Sequence, residues 1–178
     1  YPAVGTGVPL YILGSTTDSA ELAAYLGLPY AFASHFAPEQ TEEAIRLYRS
    51  RFRPSRYLDK PYMIVCLNVV AAETDEEARH ELWTTIRYFL NIVRGERLPL
   101  QPPDKAEALV LTPYERAHLE ARMSLSIVGG RETVKKRLAE FLERHEADEI
   151  MAVTYIFDQA KQIRSYELLK EAAESIRR

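Results

Sequence analysis

Short runs of apolar residues alternate along this chain with segments whose apolar residues recur at helical spacing. The apolar runs predict strands at residues 8–13, 28–33, 61–72 and 150–157. The helical spacing predicts helices at residues 20–26, 39–52, 75–93, 113–125, 131–145 and 165–176. Because the strand runs are apolar throughout, without alternation, they indicate a parallel sheet covered on both faces.

Several helix ends are marked by local signals. Gly27 closes the first helix, and Thr74, followed by three acids, caps the third. The segment from Ile127 to Gly130 is interpreted as a turn that leads into the helix at 131–145. Strand and helix therefore alternate about four times, as in an α/β fold.

Two architectures are compatible with such a sheet: an open, doubly wound sheet, or part of a (β/α)₈ barrel. A whole barrel needs roughly 250 residues, and this chain has 178. We expect one domain over residues 1–178. Residues 94–113 contain four prolines and little periodicity, and they are expected to form a lid-like insertion loop.

Charge and composition exclude several classes of protein. The chain carries 23 basic and 26 acidic residues, a formal net charge of −3, which argues against a nucleic-acid binder or a polybasic membrane binder. It has one cysteine and no apolar run long enough to cross a membrane. We expect a cytoplasmic protein. Because the chain begins at Tyr1, we expect it to be processed, trimmed or part of a longer polypeptide.

The candidate functional residues lie in the loops that follow the strands, since both architectures place their active sites there. Gly14, Ser15, Thr16 and Ser19 bring hydroxyls and backbone N–H groups to a helix N-terminus, where a phosphate is stabilised by the donors and by the dipole. Helix capping alone is the other interpretation, and it is the commoner use of such residues. Asp18 argues against an anion unless its carboxylate turns outward.

His35 follows the second predicted strand and is the candidate acid, base or hydrogen-bond donor. A structural histidine is the alternative. The other histidines, His80, His118 and His145, are interpreted as solvated, and their spacing forms no metal motif. Cys66 lies within a strand, where packing is a better explanation than nucleophilic chemistry.

Five blocks of sequence, in order and spread from about Val8 to Leu169, carry a resemblance to a known family. The blocks are Val8-Pro-Leu-Tyr-Ile-Leu-Gly-Ser-Thr, Ala23-Ala-Tyr-Leu-Gly-Leu-Pro-Tyr-Ala-Phe-Ala-Ser-His-Phe-Ala-Pro, Leu67-Asn-Val-Val-Ala-Ala-Glu-Thr-Asp-Glu-Glu-Ala-Arg, Ile127-Val-Gly-Gly-Arg-Glu-Thr-Val and Ser165-Tyr-Glu-Leu-Leu. Together they resemble the C-terminal half of the bacterial luciferase-like flavin monooxygenases.

The resemblance implies an α/β fold that is the C-terminal half, strands five to eight, of a (β/α)₈ TIM barrel with an insertion before the last strand. It implies FMN as cofactor, with the phosphate at Gly14, Ser15, Thr16 and Ser19, and it favours the phosphate interpretation over capping alone. Residues 94–113 fall in the family's mobile insertion. His35 falls on the loop after strand six, without a fixed catalytic role.

The implied function is an FMN-dependent monooxygenase that uses reduced flavin and O₂ to oxygenate a small organic substrate, with a separate reductase supplying the reduced FMN. One alternative is a deazaflavin-dependent oxidoreductase of the same superfamily. Another is a non-catalytic, truncated flavin-binding module. Because the first four strands are absent, we expect a homodimer or pairing with the missing half.

Overall fold

A computed structural model describes residues 5–104 and 109–176. The chain divides into two compact units, Tyr1–Cys66 with Ala147–Ile150, and Leu67–Glu146 with Met151–Arg178. The described strands are β1 (Ile12–Gly14), β2 (Tyr30–Phe32), β3 (Met63–Ala71), β4 (Ile127–Gly129) and β5 (Glu149–Val153). The described α-helices are α1 (Thr17–Leu26), α2 (Thr41–Arg51), α3 (Asp75–Val93), α4 (Pro113–Arg122), α5 (Arg131–His145) and α6 (Gln159–Ile176).

The first unit is built on parallel pairing of three strands. Ile12 of β1 is in register with Tyr30 of β2, and Tyr30 is in register with Met63 of β3. Helices α1 and α2 pack against each other. Tyr48 of α2 is fully buried, and its hydroxyl donates to the carbonyl oxygen of Leu28 at 2.9 Å. The helix layer is therefore held to the chain that enters β2.

The second unit pairs the end of β3 in parallel with β4, with Val69 in register with Ile127. Helix α3 contacts β4, and α5 packs against α6. The N–H of Ala71 donates to the buried hydroxyl of Ser165 at 2.9 Å, which ties α6 to the end of β3. A hydrophobic cluster around Phe89, Leu90 and Leu119 fills the space between α3 and α4.

The helix ends follow the predicted signals. Thr74 caps α3 by accepting a hydrogen bond from the N–H of Glu77 at 3.1 Å. Gly27 ends α1 in the left-handed conformation at φ 61°, and a Cβ there would overlap the carbonyl oxygen of Arg53. The predicted bounds of α5 are confirmed, and those of α3 are as well.

The strands differ from the prediction in number and length. Residues 127–130 do not form only a turn, because Ile127–Gly129 pairs with β3 as the additional strand β4. Strand β1 begins only at Ile12, and Pro9 lacks an N–H group for the ladder. Helix α6 begins six residues before the predicted start, since the charged segment before Ser165 is already helical.

Most of the predicted insertion at 94–113 is described, while residues 105–108 lie outside the described part. Arg94 caps the C-terminus of α3, and Pro113 is the first residue of α4. Leu109 and Leu111 pack against the cluster of Phe89. A lid function for this segment stays a prediction. Over residues 5–104 and 109–176, the helices are too short or too polar to cross a membrane.

An ion pair joins the end of α3 to the start of α4. The Nε atom of Arg94 donates to Oε1 of Glu115 at 2.6 Å, and the N–H of Thr112 donates to Oε2 at 2.8 Å. Glu115 is buried, and these two donors hold the pKa of its carboxyl down at about 2. The carboxylate therefore stays charged through the neutral and mildly acidic range.

Replacing Glu115 by Gln should destabilise the chain more at pH 7 than at pH 3. The folded pKa lies below the value of 4.5 for a free carboxyl, so the stabilisation is complete above about pH 4.5 and is lost as the pH falls towards 2. Urea unfolding of the wild-type chain and of Glu115→Gln between pH 3 and pH 7 measures the difference in unfolding free energy. Equal destabilisation at both pH values would contradict a charged Glu115 in this contact.

Candidate functional site

The turn between β1 and α1, residues Gly14 to Ser19, is held by a capping box. The hydroxyl of Thr16 accepts from the N–H of Ser19 at 3.4 Å, and the hydroxyl of Ser19 accepts from the N–H of Thr16 at 3.4 Å. The Ser19 hydroxyl also donates to the carbonyl oxygen of Thr16 at 2.6 Å. Both hydroxyls are therefore used inside the turn, which we call the β1–α1 turn.

Tyr30 of β2 holds this turn through its hydroxyl group. Its hydroxyl lies 2.7 Å from the Ser19 hydroxyl and 3.2 Å from the carbonyl oxygen of Thr16. Tyr30 is fully buried, and burial raises the pKa of its phenol to about 12. The phenol thus keeps its proton and its hydrogen bonds at neutral pH. The role of Tyr30 cannot be predicted from the sequence, because a tyrosine in an apolar strand gives no sign of a polar role.

Gly14 permits the close approach of β1 to the first turn of α1. A Cβ at this position would overlap both Oγ and Cβ of Ser19. The last residue of β1 must therefore lack a side chain if Ser19 is to reach the carbonyl oxygen of Thr16. Steric exclusion of a Cβ, and not a positive φ angle, therefore explains the glycine at this position.

The donors left for a ligand lie at the N-terminus of α1. The N–H groups of Thr17 and Asp18 have no acceptor within the helix, because an α-helix leaves its first N–H groups unbonded. Ser15 is half-buried, and its hydroxyl makes no hydrogen bond to the part of the chain that the structure describes. Asp18 is exposed. The arrangement offers several donors and the positive end of a helix dipole, which suits an anion.

His35 lies on the loop after β2, at the same sheet edge as the β1–α1 turn. Gly14 is in register with Phe32, and the N–H of Ala33 donates to the carbonyl oxygen of Gly14 at 2.8 Å. The backbone N–H of His35 donates to the carbonyl oxygen of Cys66 at 3.1 Å, which fixes the loop on β3. The predicted neighbourhood of the two loops is thus present.

The residue before His35 adds a buried polar group to this edge. Ser34 is 1% exposed, and its hydroxyl has no hydrogen-bond partner among residues 5–104 and 109–176. A buried hydroxyl without a partner costs about 1–3 kcal/mol and is a common mark of a site for a ligand or water. His35 was predicted as a candidate in this loop, whereas Ser34 was not.

Two other residues that the sequence analysis considered, Cys66 and His145, have surroundings that suit structural roles. Burial raises the pKa of the Cys66 thiol to about 11, so a thiolate is disfavoured. The prediction that His145 is solvated is wrong, because it is buried and its ring lies 4.3 Å from that of Phe141. The described residues hold no cluster of three His, Cys, Asp or Glu side chains that could bind a metal ion.

Comparisons with known proteins give consistent similarities. A family model described as luciferase-like monooxygenase matches residues 1–149. The uncharacterized protein YddN of Bacillus subtilis (strain 168) is 41% identical over 176 residues, 99% of this chain and 52% of that protein. A luciferase-like monooxygenase of Escherichia coli (strain K12) is 39% identical over 175 residues, with coverages of 98% and 52%.

A solved structure, apo-MsnO8, is 34% identical to the chain with a TM-score of 0.86, and the match covers 97% of this chain and 53% of that one. The α/β fold with its parallel sheet is thus shared with structures of the luciferase-like TIM-barrel type. The chain spans about half the length of the curated relatives it matches.

Replacing Gly14 by Ala should lower the melting temperature by about 2–12 °C, because overpacking costs about 1–3 kcal/mol and each kcal/mol is worth about 2–4 °C at this size. The double variant Gly14→Ala/Ser19→Gly removes the atoms that the new Cβ would overlap. It should lose less stability than the sum of the two single variants. Thermal unfolding of all four proteins tests this, and strict additivity would contradict the steric explanation.

Proposed function

The chain belongs to the luciferase-like monooxygenase family, and we propose that it holds the flavin phosphate in an enzyme that uses reduced FMN and O₂ to oxygenate a small organic substrate. The observation that carries this proposal is the β1–α1 turn, with its donors at the start of α1 and the Ser19 hydroxyl held by Tyr30. A separate reductase is the proposed source of the reduced FMN.

The residues present suit the phosphate of FMN in charge and in donor type. The hydroxyl of Ser15 and the N–H groups of Thr17 and Asp18 are the proposed direct donors to its oxygens. Thr16 and Ser19 act on the phosphate through the shape of the turn, because their hydroxyls already bond to the turn's own backbone. The exposed carboxylate of Asp18 is free to turn towards water.

The protein's part in the reaction is to bind, orient and shield. Bound FMN in its reduced form supplies the electrons that activate O₂. The β1–α1 turn fixes the phosphate end of the cofactor at the sheet edge, and His35 on the neighbouring loop is the proposed acid, base or hydrogen-bond donor towards the substrate. The proposed lid at residues 94–113 would exclude water.

The topology supports the C-terminal half of a (β/α)₈ barrel, with β1, β2, β3 and β5 as strands five to eight. Parallel pairing runs from β1 through β2 to β3, and β5 also pairs with β3. In this arrangement β4 belongs to the insertion before the last strand. The relatives are about twice as long as the chain, which is the length that a whole barrel requires.

Exposed apolar side chains on the first unit support the proposal that another segment of protein covers the edge of β1. Leu13 of β1 is 73% exposed and Tyr25 of α1 is 63% exposed, and Leu10, Leu22 and Leu26 are exposed beside them in sequence. In the proposed whole barrel, the N-terminal half covers this edge and the adjoining helix. A second copy of the chain is the alternative cover.

The phosphate site predicts that the chain binds FMN at least about a hundredfold more tightly than riboflavin, which lacks the phosphate, because three donors are proposed to bond to it. Each charge-assisted hydrogen bond is worth about 1.5–3 kcal/mol, and 1.4 kcal/mol is tenfold in affinity. Ser15→Ala should weaken FMN by about tenfold and leave riboflavin unchanged. Titrations followed by flavin fluorescence measure both ligands.

The matched control for Ser15→Ala is Ser175→Ala, which removes a hydroxyl from α6 that bonds only locally to the carbonyl oxygen of Ala172. This control should leave both flavins unaffected. Equal affinities for FMN and riboflavin, or no binding at millimolar FMN, would sink the phosphate assignment.

The exposed edge predicts concentration-dependent association of the chain in sedimentation velocity. Leu13→Ser/Tyr25→Ser should shift the chain towards its monomer of 20.4 kDa, since it removes apolar surface from that edge. Val110→Ser, at a residue that is 87% exposed in the second unit, is the control and should not change the association. A wild-type monomer at all concentrations would show that the edge needs no cover.

A further inference from the structure

A cavity of about 510 Å³ lies within the second unit, among α3, α4, α5 and β4. We propose that this cavity binds a small aromatic carboxylate. Its volume is within the range of about 300–1,000 Å³ that is typical of small-molecule sites. It shares no residue with the β1–α1 turn, so the inference stands apart from the proposed function.

The floor of the cavity is apolar and is backed by packed core. Seven apolar side chains line it: Leu82, Trp83, Ile86, Leu111, Leu119, Met123 and Val128. Leu119 is buried and packs in the cluster of Phe89 and Leu90, while Ile86 and Met123 pack against that cluster. A ring placed on this floor would gain apolar contact and face an indole, which suits an aromatic ligand.

The rim of the cavity carries three arginines, one from each surrounding helix: Arg79 of α3, Arg116 of α4 and Arg137 of α5. All three are exposed, and none forms an ion pair or a side-chain hydrogen bond within the described ranges 5–104 and 109–176. By contrast, two other arginines of the same unit form ion pairs, Arg94 with Glu115 and Arg164 with Glu73.

Two acids also line the cavity, and one of them is already engaged. Asp75 accepts from the N–H of Gly130 at 2.6 Å and from the hydroxyl of Thr133 at 3.0 Å. These donors, and after them the nearby charges of Arg79 and Arg137, lower the pKa of Asp75. With Glu120 the rim carries three cations and two anions, so one positive charge remains in excess for an incoming carboxylate.

The guanidinium groups decide which anion suits the cavity. A carboxylate suits this lining better than a neutral hydrocarbon, because it can accept from the planar donor pairs of the guanidinium groups. A sugar phosphate would leave the apolar floor unfilled.

The test uses Trp83, which is the only tryptophan of the 178-residue chain. The chain is titrated at pH 7 with para-tert-butylbenzoate and, separately, with its neutral analogue para-tert-butylbenzamide. We expect a saturable change of Trp83 fluorescence with the benzoate and at least about fivefold weaker binding of the benzamide. Trp83→Phe should remove the fluorescence change, with calorimetry still detecting the benzoate.

Three variants test the rim: Arg79→Gln, Arg116→Gln and Arg137→Gln. Each should weaken the benzoate by about two- to fivefold, the usual worth of an exposed ion pair, and leave the benzamide unchanged. The matched control is Lys136→Gln, next to Arg137 on α5, whose ammonium faces Glu140 outside the cavity. Lys136→Gln should leave the affinities for the benzoate and for the benzamide unchanged. All four side chains are exposed, so thermal unfolding should be unaffected.

The proposal is overturned by a fluorescence change that does not saturate, by equal binding of benzoate and benzamide, or by three arginine variants that behave like Lys136→Gln. It is also overturned if acrylamide fails to quench Trp83 in the free chain, since the cavity would then be closed in solution. None of these results bears on the comparison of FMN with riboflavin, which depends on the first unit.

Discussion

Strand β3 buries all nine of its residues, and the neighbouring strands take their positions from it. Seven of the nine are Val, Ile, Leu, Met or Ala, and full burial of one of the larger of these side chains is worth about 1.5–3 kcal/mol. In the first unit the register runs from Val65 through Phe32 to Gly14. Gly14 and Phe32 end their strands at the same level, so the loops that carry Ser15 and Ser34 leave the sheet side by side.

The β1–α1 turn shows how polar residues are divided between structure and ligand. The hydroxyls of Thr16 and Ser19 bond within the turn itself, and the phenol of Tyr30 bonds to the Ser19 hydroxyl and to the carbonyl oxygen of Thr16. This internal bonding holds the start of α1 in one conformation before any ligand arrives, so less ordering is needed on binding. The donors that remain are the backbone N–H groups and Ser15, which a phosphate can use without disturbing the turn.

Local signals predicted the helices well because a cap is decided by a few adjacent residues. Thr74 and Gly27 mark the ends of α3 and α1 in the sequence as they do in the structure. Strand lengths were less predictable, since a strand extends only as far as a partner pairs with it. Three residues ending in glycine gave no sign of β4, which exists through its pairing with β3. The burial of His145 likewise depends on packing that the charged helix around it does not reveal.

Candidate loops could be located from the sequence because the carboxyl ends of parallel strands meet at one edge. The roles within those loops could not, because they depend on contacts across the sheet. Tyr30 lies eleven residues from Ser19 in sequence and 2.7 Å from it in space. The assignment of Gly14, Ser15, Thr16, Ser19 and His35 to cofactor and substrate stays a prediction.

The burial of Cys66 has a practical consequence for spectroscopy on this chain. It is the only cysteine, and its thiol is shielded within β3 with a raised pKa. A cysteine introduced on the surface would therefore be the single site for a maleimide dye or a nitroxide label, without first removing the native thiol. Pairs of such labels on α1 and α2, or on α5 and α6, would report distances within each unit directly.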